Sequence, residues 1–351
     1  VTALPRVVLH VGAPKSGTTY VQSRMQRNHD TLLAHGVLVP QGSSEDGPAT
    51  LMFRAALDLT GIRLHRGRAY TDGRWDRLVE ATRAHPGTTW ISDEAFVRAD
   101  DAAAARAVRE LGGDGAAEVH VVYTARDLGR ALVSAWLENL KHGGSEPFAK
   151  FLERARTGGL KVLRGFALDT VLGRWAGAVG DPARVHLVTL PPEGGDRTLL
   201  WTRFLAVARV DAAWAPLEAV RTNDSVGLAE AQFLRALNER LGGAARRGGP
   251  LHAAVRDVVV SRGLSPRSAT TSAKVRLDPR HEPWVGALTE RWTAWVRASG
   301  IDVVGDLAEL ATVPLDPAAW ADPDVVVPDA LAAADAALDA VRRARRRAGG
   351  A

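Results

Sequence analysis

The sequence predicts an α/β protein in three layers, a parallel β-sheet flanked by helices on both faces, with a helical C-terminal part. Three observations predict it. Short β-rich runs alternate with longer stretches of helical periodicity up to about Asp211. A glycine-flanked loop joins the first of these runs to the first helical stretch. Beyond Asp211 the strand signals stop and helical periodicity continues.

The β-rich runs are RVVLHV (6–11), TTWIS (88–92), VHVVYTA (119–125) and RVHLVTL (184–190). Between and after them, helical spacing predicts helices over Thr18–Ala34, Trp75–Ala84, Asp101–Leu111, Asp127–Lys141, Phe166–Val179 and Leu199–Ala208. The later stretch predicts helices over Leu228–Leu241, Leu251–Arg262, Glu282–Ala298 and Asp329–Arg347. Gly- and Arg-rich pieces such as LGGAARRGGP (241–250) read as loops between helices, and there is no internal repeat. The expected organisation is one α/β domain over residues 1–310, its helical part beginning near 211, followed by an extension over 311–351 that carries a basic helix.

At 351 residues and 46% hydrophobic, the chain can bury a sizeable core. No apolar run approaches the roughly 20 residues that cross a bilayer, and no secretory signal pattern opens the sequence. A cytoplasmic protein is expected, in which the sequon-like Asn223-Asp224-Ser225 carries no meaning. The absence of cysteine excludes disulfides, thiolate metal sites and cysteine nucleophiles. The net charge of +5 favours anionic ligands only weakly, because arginine and acids are interspersed. The dense run Arg342–Arg347 ends a helical stretch, where it complements the helix dipole; contact with an acidic surface is the alternative. No nucleic-acid-binding signature accompanies it, so no nucleic-acid partner is expected.

The first loop, HVGAPKSGTTY (10–20), lies between a strand and a helix start, where free backbone N–H groups meet anions. Gly12 and Gly17 allow tight turning, Lys15 adds a positive charge, and Ser16, Thr18 and Thr19 add hydroxyl donors. Gly12 and Gly17 have the spacing of a nucleotide-phosphate loop, but Thr18 stands where that loop has lysine. The loop is therefore not of the Walker A type.

GAPKSGTTYVQ resembles the 5′-phosphosulfate loop, P-K-[ST]-G-T-[TS]-[WYL], of sulfotransferases that use 3′-phosphoadenosine 5′-phosphosulfate (PAPS). The resemblance implies a P-loop-like sulfotransferase fold. It also implies an R-x7-S cluster for the cofactor's 3′-phosphate, which VHVVYTARDLGRALVSAW supplies as Arg126 and Ser134. Eight residues are just over two helical turns, so Ser134 faces roughly the side of the helix start, and Arg126 is suited to bidentate bonds to a phosphate. VRTNDSVGLAEAQFLRALN (220–238) and GIDVVGDL (300–307) are similar to segments of bacterial members, which extends the resemblance to about Leu310. The R-K-G-x-x-G-x-W loop of the cytosolic animal enzymes is missing, and the C-terminal cofactor contacts stay unassigned.

The resemblance thus implies in-line sulfuryl transfer from PAPS to a hydroxyl acceptor, a carbohydrate or small metabolite, with no metal required. Positioning and charge stabilisation should dominate such a step. Lys15, among the backbone N–H groups of Gly17, Thr18 and Thr19, is suited to neutralise the leaving phosphate oxygen. For the base, Glu94 in TTWISDEAF is the leading candidate, because the strand would deliver it beside the loop. Many carbohydrate and tyrosyl sulfotransferases use a glutamate there. Asp93 and His10 are alternatives; the Asp-Glu pair could equally cap the following turn, and His10 could be a core histidine. Lys141 and His142 end the Ser134 helix, either facing an acceptor or simply solvated, while Trp136 and Trp175 read as packing residues. Rival readings are a P-loop kinase or NTPase, suggested by the Gly12–Gly17 spacing and WISDE, and a PAPS-binding sensor without turnover.

Overall fold

The structure, a computed structural model, describes residues 4–42, 50–63, 70–196, 198–220, 226–249, 251–266, 268 and 272–325. The expected basic helix Asp329–Arg347 and the triplet Asn223-Asp224-Ser225 lie outside the described residues. The chain forms two compact units. The first comprises Val1–Leu128, Arg164–Thr222 and Ala287–Ala311; the second comprises Gly129–Leu163, Asn223–Gly286 and Thr312–Ala351.

The first unit holds a six-stranded sheet in the order β2-β3-β1-β4-β5-β6. Its strands are β1 (Arg6–His10), β2 (Val37–Leu38), β3 (Thr88–Ser92), β4 (Glu118–Ala125), β5 (Val185–Thr189) and β6 (Asp302–Val304). Every pairing is parallel. β1 is buried along its whole length, as befits a strand covered on both faces. From β1 the chain runs outward to β2 and β3, then crosses back to β4. Strand order reverses at β1, so the crevice beyond its C-terminal end is the natural ligand position.

Side-chain alternation divides the core between the two faces. On one face Val8, Trp90, Val122 and Val188 pack against α1 (Thr18–Arg27), α2 (His29–Ala34) and α9 (Thr198–Ala208), through Val21, Met25, Leu32, Leu200, Trp201 and Phe204. The opposite face receives α5 (Asp101–Gly112) and α8 (Leu168–Val179) against β4 and β5. There Tyr123 is fully buried, and its hydroxyl donates to the Gly165 carbonyl at 2.7 Å. Helices therefore flank the sheet on both sides.

Several expectations need correction. The single helix predicted over Thr18–Ala34 breaks at Asn28, whose side chain is tied to a distant segment: its amide donates to Leu217 O (2.9 Å) and its carbonyl accepts from Leu217 N (2.9 Å). Strand signals do not stop at Asp211, since β6 adds a sixth strand, pairing His186 with Asp302, Leu187 with Val303 and Val188 with Val304. The register lets His186 Nδ1 meet Asp302 Oδ2 at 2.7 Å, while His186 Nε2 lies 2.9 Å from His120 Nδ1. α9 clamps the end of this strand pair: Arg203 makes a two-pronged ion pair with Glu309 and also donates to Thr189 O. Two helices, α3 (Thr50–Leu59) and α4 (Arg74–Ala84), precede β3, and only the second was expected.

In the second unit, α6 (Leu128–Lys141), which enters it at Gly129, is followed by α7 (Phe148–Arg156) and later by α10 (Leu228–Leu241). α7 was not predicted, although Phe148, Phe151, Leu152 and Ala155 are buried at helical spacing. Its open N-terminus is capped by Asp324, which accepts from Phe148 N and Ala149 N. Asn238 of α10 donates to the carbonyls of Leu140 (2.8 Å) and Gly144 (2.7 Å). The predicted helix Leu251–Arg262 is instead a π-helix over Ala254–Leu264, closed by Ser265 N–H donating to Val260 O. α11 (Glu282–Ser299) starts in this unit and continues into the first. Among the described residues no helix is long and apolar enough to cross a membrane.

Candidate functional site

The site grows from the end of β1. The strand's ladder with β4 continues into the loop, with Val11 N donating to Val122 O (2.9 Å) and Ala13 N to Thr124 O (2.8 Å). The loop then turns sharply. Gly12 (φ 123°), Lys15 (φ 64°) and Gly17 (φ 81°) all have left-handed backbone, and Ser16 N closes the turn on Ala13 O. Such turns aim successive N–H groups at one concave spot that suits an anion. Gly17 is doubly constrained, because a Cβ there would also collide with Leu200 Cδ2.

Gly17 is the N-cap of α1 and has no side chain to cap it, so the helix starts on bare backbone. Ser16 and Thr18 are buried, whereas Lys15 and Thr19 are half-buried. Gln22, one turn beyond Thr18, donates to Ser92 O at 2.9 Å and pins α1 to the end of β3.

Beyond β3, Asp93 caps a 3-10 helix over Glu94–Arg98 by accepting from Ala95 N at 2.8 Å. Burial pushes the Asp93 carboxyl up to about 7; the Ala95 N–H opposes that shift, and Glu94 adds repulsion. Asp93 is thus a cap turned inward. Glu94 is half-buried, and its Oε2 accepts a hydrogen bond from Thr18 Oγ1 at 2.7 Å. His10 is fully buried, with its ring nitrogens bonded to Ser92 Oγ (2.8 Å) and Thr124 Oγ1 (3.1 Å). Desolvation lowers its pKa to about 3, which keeps the ring neutral.

Arg126 follows β4 directly, and its Nη1 donates to Lys15 O at 3.3 Å. Parts of the chain 76 and 111 residues apart therefore meet at one loop: Glu94 through Thr18, and Arg126 through Lys15. Ser134 is half-buried on α6 and belongs to the second unit. In that unit Lys141 is half-buried at the end of α6, and His142 bonds with His252 (3.0 Å), Glu138 (3.1 Å) and Arg247 (2.9 Å). Trp136, in the second unit, and Trp175, in the first, are fully buried.

Sequence reasoning missed the bond between Thr18 and Glu94 and the wall that Leu190 and Leu200 raise behind Gly17. Neither leaves a local signal, because each partner comes from a different element. Among the described residues no three His, Asp or Glu side chains converge as metal ligands. The chain matches no family model, no curated protein and no solved structure.

Proposed function

We propose that the chain is a PAPS-dependent sulfotransferase of the P-loop-like fold, transferring a sulfuryl group to a hydroxyl acceptor, a carbohydrate or small metabolite. The observation that carries this reading is the convergence of Glu94 and Arg126 on the loop that holds Lys15 and Thr18. The donor set fits an anionic ligand: one lysine, one arginine, the hydroxyls of Ser16, Thr18 and Thr19, and an uncapped helix start.

When bound, PAPS supplies an activated sulfuryl group whose bridging oxygen departs with the 5′-phosphate. Lys15 and the first-turn N–H groups hold that phosphate and take up the charge that develops on it. Arg126, on the same loop through its bond to Lys15 O, is suited to hold the 3′-phosphate. Glu94 takes the acceptor's proton; Asp93, mostly protonated below neutral pH and engaged as a cap, and His10, buried and bonded on both nitrogens, are less suited to that task.

Calorimetry in the presence of EDTA tests the reading. Wild type should bind 3′-phosphoadenosine 5′-phosphate tightly and ATP weakly, and Arg126→Ala should lose the preference. Binding of ATP only after magnesium is added, with no preference for a 3′-phosphate, would overturn the proposal in favour of a kinase or NTPase. Turnover separates an enzyme from a sensor: Glu94→Gln should retain nucleotide binding and lose sulfuryl transfer.

A further inference from the structure

We propose that the Thr18 hydroxyl is a two-position donor that couples binding of the nucleotide to release of the Glu94 carboxylate. The inference rests on the sulfotransferase reading above. It starts from one proton: a threonine hydroxyl has a single O–H to donate, and in this structure it goes to Glu94 Oε2 at 2.7 Å. That length is an ordinary hydroxyl-to-carboxyl hydrogen bond.

Thr18 is also the first residue of α1 and is only 4% exposed. Its hydroxyl therefore belongs to the turn that would receive the 5′-phosphate, where the N-cap Gly17 contributes no side chain. A phosphate oxygen in that turn competes with Glu94 for the same proton. When the hydroxyl turns to phosphate, Glu94 loses a donor, and Oε2 becomes open to a new hydrogen.

Glu94 has little freedom to answer by moving away. It begins the 3-10 helix capped by Asp93, and the next three residues, Ala95, Phe96 and Val97, are buried. The backbone that carries Glu94 stays in place while the bonding of its carboxylate changes. In the reacting step the acceptor oxygen bonds to sulfur, its proton passes to Glu94 Oε2, and the bridging S–O bond breaks with its electron pair left on the phosphate. Thr18 is a positioning residue in this scheme.

The test uses the full chain labelled with 13C at the glutamate carboxyl, with the Glu94 resonance identified by its loss in Glu94→Gln. Wild type, Thr18→Val and Thr18→Ser are titrated with 3′-phosphoadenosine 5′-phosphate at one pH. In wild type the nucleotide should shift the Glu94 resonance. In Thr18→Val the resonance should already be displaced without nucleotide and should move much less on binding, while the nucleotide binds about tenfold more weakly. Thr18→Ser, which keeps the hydroxyl, should restore both. Equal nucleotide-induced shifts in wild type and Thr18→Val would mean that the ligand's charge acts through space, and the coupling would be overturned while the sulfotransferase reading stands. Failure of wild type to bind the nucleotide would overturn both.

Discussion

At the residue scale, Gly17 and Asp93 make the sharpest claims. A side chain at Gly17 meets two obstacles, the left-handed backbone at φ 81° and the collision with Leu200. Gly17→Ala should therefore lose about 1–3 kcal/mol of stability by chemical denaturation, and Gly17→Ala/Leu200→Ala should remain below Leu200→Ala because the backbone cost persists. Asp93 governs a pH window. Its native pKa of about 7 exceeds its unfolded value, so the native state holds a proton that the unfolded chain releases between about pH 4 and 7. Its contribution to stability is present below that window and is lost as pH rises through it. Asp93→Asn keeps a capping side chain and abolishes the loss, so the stability of the variant relative to wild type should climb across the window by at most about 4 kcal/mol, read by urea unfolding at each pH. His10 acts with the opposite sign, since its depressed pKa removes stability as pH falls from about 6.5 toward 3. A relative stability that does not change with pH would show that Asp93 is ionised and hydrated.

At the element scale, the ends of the sheet depend on contacts far apart in sequence. β6 pairs with β5 over three residues, and the ion pair between Arg203 and Glu309 secures the turn that follows it. With both side chains mostly shielded, breaking one partner should cost about 3 kcal/mol, and Arg203→Met/Glu309→Leu should recover much of the loss in the same denaturation assay. The same dependence explains what could be read from the sequence. β1, β3, β4 and β5 were legible as compact β-rich runs, and α1 was legible from its loop. β2 and β6 were not, because two or three residues carry no periodicity and are strands only through their neighbours. The break at Asn28 was hidden for the same reason, since Leu217 supplies its partners. α7 is readable from Phe148, Phe151, Leu152 and Ala155 at helical spacing, but a nine-residue helix with a proline before it and no side-chain cap of its own gives a weak boundary signal. In the site, Lys15, Arg126 and Glu94 stood in readable places, at the ends of strands. Which of them touch is a property of the sheet order, which the linear pattern leaves open.

At the scale of the whole molecule, a net charge of +5 adds a weak long-range attraction to the local donors of the loop. Nucleotide affinity should fall by roughly three- to tenfold as salt rises from about 0.05 to 0.3 M, mostly through slower association, measurable by stopped flow. The chain passes between its two units at residues 128–129, 163–164, 222–223, 286–287 and 311–312, so neither unit is a continuous piece of sequence. Tyr123 offers an optical consequence. Its phenol is fully buried, and desolvation raises its pKa far above the ordinary tyrosine value. It therefore cannot become phenolate while the sheet around it is closed. In an alkaline titration one of the three tyrosines will add its near-ultraviolet absorbance only as the far-ultraviolet dichroism collapses, making that phenol a built-in dye for the integrity of the sheet.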